Sequence, residues 1–168
     1  MMNLIFLSAL LASSHARFDP KASAEQVVGF SEHRHSPEEN LIVVRKYYEC
    51  LFKKGDFATL STLIAPAANY YQAEGLPYGG IFTGFENWTK MFTQVSALLD
   101  LEVTDEPVYF VDNLSGDVIM RFTIRCKAKK SGKTISMPIA EQFALKDGKI
   151  ISVRPFYFDT LTFTNFLK

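Results

Sequence analysis

The chain has 168 residues, room for one domain with its own core. Hydrophobic residues make up 48%, aromatics 14% with 15 Phe, and charged residues 21% with a formal net charge of zero. This globular composition excludes a disordered or fibrous chain, and it lacks the basic surplus of an electrostatic nucleic-acid binder.

At the N-terminus, "MMNLIFLSALLASSHA" carries an apolar run from Leu4 to Ala12, then Ser14-His15-Ala16. The small residues Ser14 and Ala16 fit a signal-peptidase site, and the run is too short to span a bilayer, so no stable membrane insertion is expected. Residues 1–16 read as a cleavable secretory signal, although no Lys or Arg precedes the run. The alternative is a short apolar helix packing on the domain or on a partner chain. With a signal the protein is secreted or periplasmic; without one it is cytoplasmic. Residues 17–36 are polar and without sustained period, a linker or N-terminal arm. Its His33 and His35 lack the companion ligands that a metal site needs. Neither a metal nor a redox cofactor is expected.

The folded domain, residues 37–168, opens with "SPEENLIVVRKYYECLFKKGD". Ser36 suits an N-cap, Pro37 the first helical position and Glu39 the acid of a capping box. Leu41, Val44, Tyr48, Leu51 and Phe52 recur at helical spacing, Gly55 stops the helix, and Asp56 can cap a second one from Phe57 to Ile64. Ala68 to Ala73 reads as a short strand, and "GLPYGGIFTG" as a loop. A third helix is expected around Trp88, Met91, Phe92, Val95, Leu98 and Leu99. Period two then takes over, with strands at Glu102–Val111, Asp117–Lys129, Lys133–Leu145 and Lys149–Phe158. The turns are "DNLSGD", "KKSGK" and "KDGK". Lys127, Lys129, Lys130 and Lys133 then decorate a solvated hairpin tip. Cys50 and Cys126 are expected as two separate buried thiols, a disulfide being the alternative in a secreted chain.

Three helices followed by a strand meander give an α+β class. The helices pack on one face of a curved, mostly antiparallel sheet, and the whole makes a cone whose concave face lines a core or a pocket. Parity places Val118, Met120, Phe122, Ile124 and Cys126 on that face from one strand, and Ile135, Met137, Ile139, Glu141, Phe143 and Leu145 from the next. Glu141 is the only ionisable member of its face. Desolvation should raise its pKa, as in enzymes that keep an acid protonated near neutrality. On the last strand Ile151, Val153, Pro155, Tyr157 and Asp159 face in. Arg154, Phe156 and Phe158 face out, where two large aromatics beside an Arg suit a homodimer interface.

"VVRKYYECLFKKGDFATLSTLIAP", "PYGGIFTGFENWTKMF" and "EQFALKDGKIISVRPFYFDT" together resemble the nuclear transport factor 2-like superfamily over roughly Pro37 to Thr160. The last stretch is similar to SnoaL-like proteins in particular. The resemblance implies the cone-shaped α+β roll. Compared with ketosteroid isomerases, Tyr47 takes the place of the oxyanion-donating tyrosine and Glu141 that of the oxyanion-hole acid. The general base falls on Gln72, an amide that cannot abstract a proton. The epoxide-hydrolase triad falls on Phe122, Ile124 and Pro155 and is therefore absent. In SnoaL-type cyclases the catalytic Asp lies within one residue of Asp159.

These readings lead to a SnoaL-like protein with a pocket for a small, largely apolar molecule. Cofactor-independent acid/base chemistry on a carbonyl compound would use Glu141 and Tyr47 as oxyanion donors and Asp159 as base. The alternative role for Asp159 is to cap the final "TLTFTNFL" segment. The pocket wall would include Tyr71, Gln72, Tyr78, Trp88, Phe122, Met137, Phe143 and Tyr157. The alternative function is a non-catalytic module of the same fold that binds a hydrophobic ligand or serves dimeric interactions.

Overall fold

The computed structural model describes residues 35–168. The expected secretory signal lies outside the described residues, as does most of the expected arm. Among the described residues no helix is long and apolar enough to cross a membrane.

The first helix, α1 (Pro37–Tyr48), begins with the expected capping box: the Ser36 side chain accepts from the Glu39 amide, and the Glu39 carboxylate accepts from the Ser36 amide. Its last turns widen into a π-helical segment, Glu49–Lys54. This extra residue per turn shifts the helical phase, so Tyr47, Tyr48 and Cys50 are buried while Leu51 and Phe52 are only half-buried. Gly55, at φ 63°, ends the segment in the left-handed conformation. Asp56 caps α2 (Phe57–Thr62) by accepting from the Thr59 amide at 2.9 Å.

Strand β1 (Ile64–Gln72) is longer than the expected one and begins at Ile64, which the sequence pattern assigned to α2. Part of the expected glycine-rich loop is a strand, β2 (Gly80–Thr83), paired antiparallel with β1. Helix α3 (Phe85–Leu98) is locked onto this pair by Trp88, whose indole N–H reaches the carbonyl oxygens of Phe82 at 2.9 Å and Ala68 at 3.2 Å.

The single expected strand Glu102–Val111 is two: β3 (Leu99–Val103) and β4 (Val108–Val111), both antiparallel to β5 (Val118–Ala128). Pro107 sits in the break, where its missing N–H cannot serve a ladder. In the interruption Asp105 takes over, its carboxylate accepting from the Thr123 amide and hydroxyl. β5, β6 (Thr134–Lys146) and β7 (Lys149–Tyr157) form the antiparallel meander. The β6–β7 turn carries Asp147 at φ 51° and Gly148 at φ 68°, the two positive values of a tight hairpin turn. β7 also pairs in parallel with β1, and the full strand order is β2-β1-β7-β6-β5-β3 with β4 beside β5. A short helix, α4 (Thr160–Phe166), closes the chain.

Alternation on β5 and β6 is as expected, down to Glu141 on the buried face. On β7 it is not. A register shift after the Ala144–Ser152 pair puts Ile150 inside and Ile151 outside, correcting the inward placement of Ile151. Cys50 and Cys126 are free and buried.

Candidate functional site

Helices α1, α2 and α3 cover the concave face of the sheet incompletely. A cavity of about 430 Å³ remains between the sheet, the π-helical segment, α2, α3 and α4. This lies in the size range of small-molecule sites. Its wall is mostly apolar and aromatic, with Phe52, Phe92, Phe122, Ile124, Ile139 and Phe163 among its members. At its rim Lys129 donates to the Ser96 carbonyl at 2.6 Å and pairs with Asp100 at 3.3 Å.

Two polar stations interrupt the apolar wall. The first is Glu141, 2% exposed. The Tyr70 hydroxyl donates to its Oε1 at 2.9 Å. Its Oε2 is buried without a hydrogen-bond partner among the described residues, and so is the nearby Tyr47 hydroxyl. Burial pushes the Glu141 carboxyl up to about 7, and the Tyr70 hydrogen bond offsets only part of that rise. Burial, reinforced by the Glu141 charge, also holds the Tyr47 and Tyr70 hydroxyls well above the usual phenol range. Near neutral pH both tyrosines are therefore donors, and Glu141 is divided between acid and carboxylate.

The second station is Gln72, whose Oε1 accepts from the Tyr157 hydroxyl at 3.2 Å. Tyr157 in turn lies 3.4 Å from the Tyr78 hydroxyl. Burial raises both phenols, Tyr78 to about 12. Tyr157 also stacks on Phe163 of α4, with ring centroids 4.9 Å apart.

Of the residues expected at the site, Glu141, Gln72, Tyr78, Phe122 and Tyr157 line this cavity. Tyr47 is fully buried behind it, against Phe143 in an edge-on ring contact of 5.0 Å. Trp88, Met137 and Phe143 are core rather than wall: Trp88 spends its N–H on backbone carbonyls, and the other two are buried outside the lining. Tyr71 faces the other side of the sheet, under the Arg154 guanidinium at 4.6 Å. Its neighbour Tyr70 holds the inward position and was missed. Strict alternation from the inward Gln72 would have found it.

Asp159 does not converge on the cavity. It is exposed and caps α4, accepting from the Thr162 amide at 2.8 Å and the Thr162 hydroxyl at 2.7 Å. Those bonds hold its carboxyl below the usual range, the opposite of what a base near neutral pH needs. The capping role predicts that Asp159→Ala lowers the thermal midpoint by a few degrees while Asp159→Asn, an equally good cap, does not. Differential scanning fluorimetry of the two variants checks this; equal losses would remove the capping assignment.

Among the described residues no cluster of His, Cys, Asp and Glu could hold a metal ion. A family model for the SnoaL-like domain matches residues 44–153. The chain belongs to this family. No curated protein matches it in sequence. Solved structures share the fold at low identity. A nuclear transport factor 2-like protein from Burkholderia xenovorans is 16% identical with a TM-score of 0.70, over 78% of this chain and 97% of that one. TerC, co-crystallised with polyporic acid, is 17% identical with a TM-score of 0.67, over 77% and 98%. A protein from Xanthomonas campestris assigned as a polyketide cyclase is 16% identical with a TM-score of 0.65, over 79% and 98%. The SnoaL-like assignment accounts for the curved sheet and its covering helices.

Proposed function

We propose that this SnoaL-like protein binds a small, largely apolar molecule in the concave cavity and holds one of its carbonyl-type oxygens with the protonated Glu141 carboxyl. The observation that carries this reading is Glu141 itself: a buried carboxyl on an apolar wall, with Oε1 held by Tyr70 and Oε2 unpartnered. A neutral acid gives a hydrogen bond to a ligand acceptor that its carboxylate cannot give. The co-crystallisation of TerC with polyporic acid supports a small-molecule role for the fold. We propose further that a second copy of this chain covers the exposed Arg154, Phe156 and Phe158.

A second reading, catalysis, is favoured by one feature: a carboxyl with a pKa near the working pH can both give and take a proton. Glu141 would have to do both alone. Gln72 has no basic site, and Asp159 is committed to α4. That requirement places simple proton relocation on an enone or lactone ahead of chemistry that needs a separate acid and base.

Binding through the neutral acid should weaken as pH rises through about 7. Native mass spectrometry of the purified protein tests for a retained ligand. Titration with 1-tetralone at about pH 5.5 and about pH 8.5 then tests the donor, with roughly tenfold weaker binding expected at the higher pH. Glu141→Gln should flatten that dependence, because an amide donates at both pH values. Equal affinity of the unmodified protein at the two pH values would overturn the reading. A turnover screen for enone isomerisation and lactone hydrolysis separates binding from catalysis: activity that survives Glu141→Gln would remove Glu141 from the chemistry.

A further inference from the structure

The second polar station has a donor to spare. Gln72 is buried and its amide is oriented from one side, with Tyr157 giving its proton to Oε1. The Nε2 group faces the Met91 sulfur at 3.7 Å. The opposite amide orientation would aim a carbonyl oxygen at a thioether, which has no proton to give. A side-chain amide carries two N–H donors, and a thioether is a weak acceptor for one of them. Gln72 thus presents an under-used donor beside the cavity it lines.

Gln72 and Tyr70 point to the same face of β1, and the register sets Gln72 on β1 and Glu141 on β6 level with Pro155 of the β7 strand between them, so the backbones of Gln72 and Glu141 are separated by about 10 Å across the sheet. Tyr70 fixes Glu141 at one end of that interval. Gln72, fixed by Tyr157 and Tyr78, stands at the other. The wall around both is largely aliphatic and aromatic.

We infer that the cavity selects a ring compound with two acceptor oxygens on different sides of the ring, one received by the Glu141 carboxyl and the other by the Gln72 amide N–H. The ligand class is thereby narrowed from carbonyl compounds in general to dicarbonyl compounds, and Gln72 becomes the residue that sets this specificity. The inference rests on the small-molecule reading above. It gives a role to the residue that denies the site a second carboxylate: an amide where a base would stand trades proton abstraction for hydrogen-bond donation.

The test compares 1,4-naphthoquinone, with two carbonyl oxygens across one ring, and 1-tetralone, with one. Both thiols of the described domain are buried, which limits addition to the quinone. Isothermal titration at about pH 6 should show Gln72→Leu weakening 1,4-naphthoquinone about tenfold, while 1-tetralone changes less than about twofold. Gln72→Met, closer in shape, should behave in the same way, and melting curves of both variants identify a fold defect. Selective loss in either folded variant supports the inference. If the two probes bind the unmodified protein and both folded variants lose neither, or lose both equally, the Gln72 assignment falls and the small-molecule reading stands. If neither probe binds the unmodified protein, the carbonyl-pocket reading fails and this inference fails with it.

Discussion

Glu141→Gln is expected to make the protein more stable at pH 8 than the unmodified chain, and about equally stable near pH 4.5. The unfolded chain releases the Glu141 proton around its ordinary value of 4.5, whereas the fold keeps it until about 7. Across that interval the folded state binds more protons than the unfolded state, so stability falls as pH rises. The contribution is fully present below about 4.5 and fully lost once pH has passed about 7. At ~1.4 kcal/mol per tenfold in proton affinity, the loss is about 3 kcal/mol. Burial is the largest cause, and the Tyr70 hydroxyl, which favours the charged form, reduces it. Glutamine keeps the shape and still offers Tyr70 an acceptor oxygen, but has no charge to desolvate. Denaturant midpoints at pH 5, 6, 7 and 8 for the two proteins measure this directly. Other titrating groups move both curves together, so the difference isolates Glu141. Parallel curves from pH 5 to pH 8 would show that solvent reaches the carboxylate and that the site lacks its neutral acid.

The same residue shows how much of the site was legible. Glu141 could be placed from alternation on β6 alone, because a strand buried on one face tolerates no slip without turning every side chain over. The helix starts were equally plain, since Ser36, Glu39 and Asp56 act through bonds within four residues of sequence. What failed depended on distant partners or on one residue of register. Tyr70 and Tyr71 are identical by local preference; alternation from Gln72 separates them only once Gln72 is known to face inward, which the position of β1 beside β7 and the reach of Tyr70 to Glu141 establish. β2 reads as a loop because Gly79, Gly80 and Gly84 in and around it favour turns, yet pairing with β1 makes Gly80–Thr83 a strand. Ile151 faces out because of an irregularity in the β6–β7 ladder, which breaks the alternation of β7 between Ile150 and Val153; the adjacent pair Ile150-Ile151 offers two apolar candidates for the inward position. The sequence offers Asp159 as base or as cap, and the two Thr162 hydrogen bonds decide for the cap. The chemical consequence is large, since the site loses its candidate base and Gln72 gains importance as a donor.

The outer face of the sheet should give a similarly large effect when a charge is placed on it. The register sets Phe156, Ala140, Arg121 and Val108 side by side across β7, β6, β5 and β4, with Arg154, Gln142, Ile119 and Phe110 in the next row. Phe156 is 51% exposed, Phe158 beyond the strand end is 80% exposed, and Val108, Ile119 and Phe110 are exposed too. Apolar side chains in adjacent rows form a patch rather than scattered exposures, and arginines among them are typical of the polar part of an interface. Arg154 is already held over the Tyr71 ring at 4.6 Å, so less side-chain freedom remains to be lost on association. Under the homodimer proposal the unmodified protein should sediment as a dimer at micromolar concentration. Phe156→Glu would set an unpaired carboxylate in each half of the interface, a change that costs several kcal/mol when the charge is desolvated. It should therefore sediment as a monomer. Its circular dichroism should be unchanged, because Phe156 projects away from the core formed by Val153 and Pro155 on the opposite face of β7. Two loadings in analytical ultracentrifugation separate the outcomes. A dimer that persists in the folded Phe156→Glu variant would place the interface elsewhere, and a monomeric unmodified protein at both loadings would leave this face to some other partner.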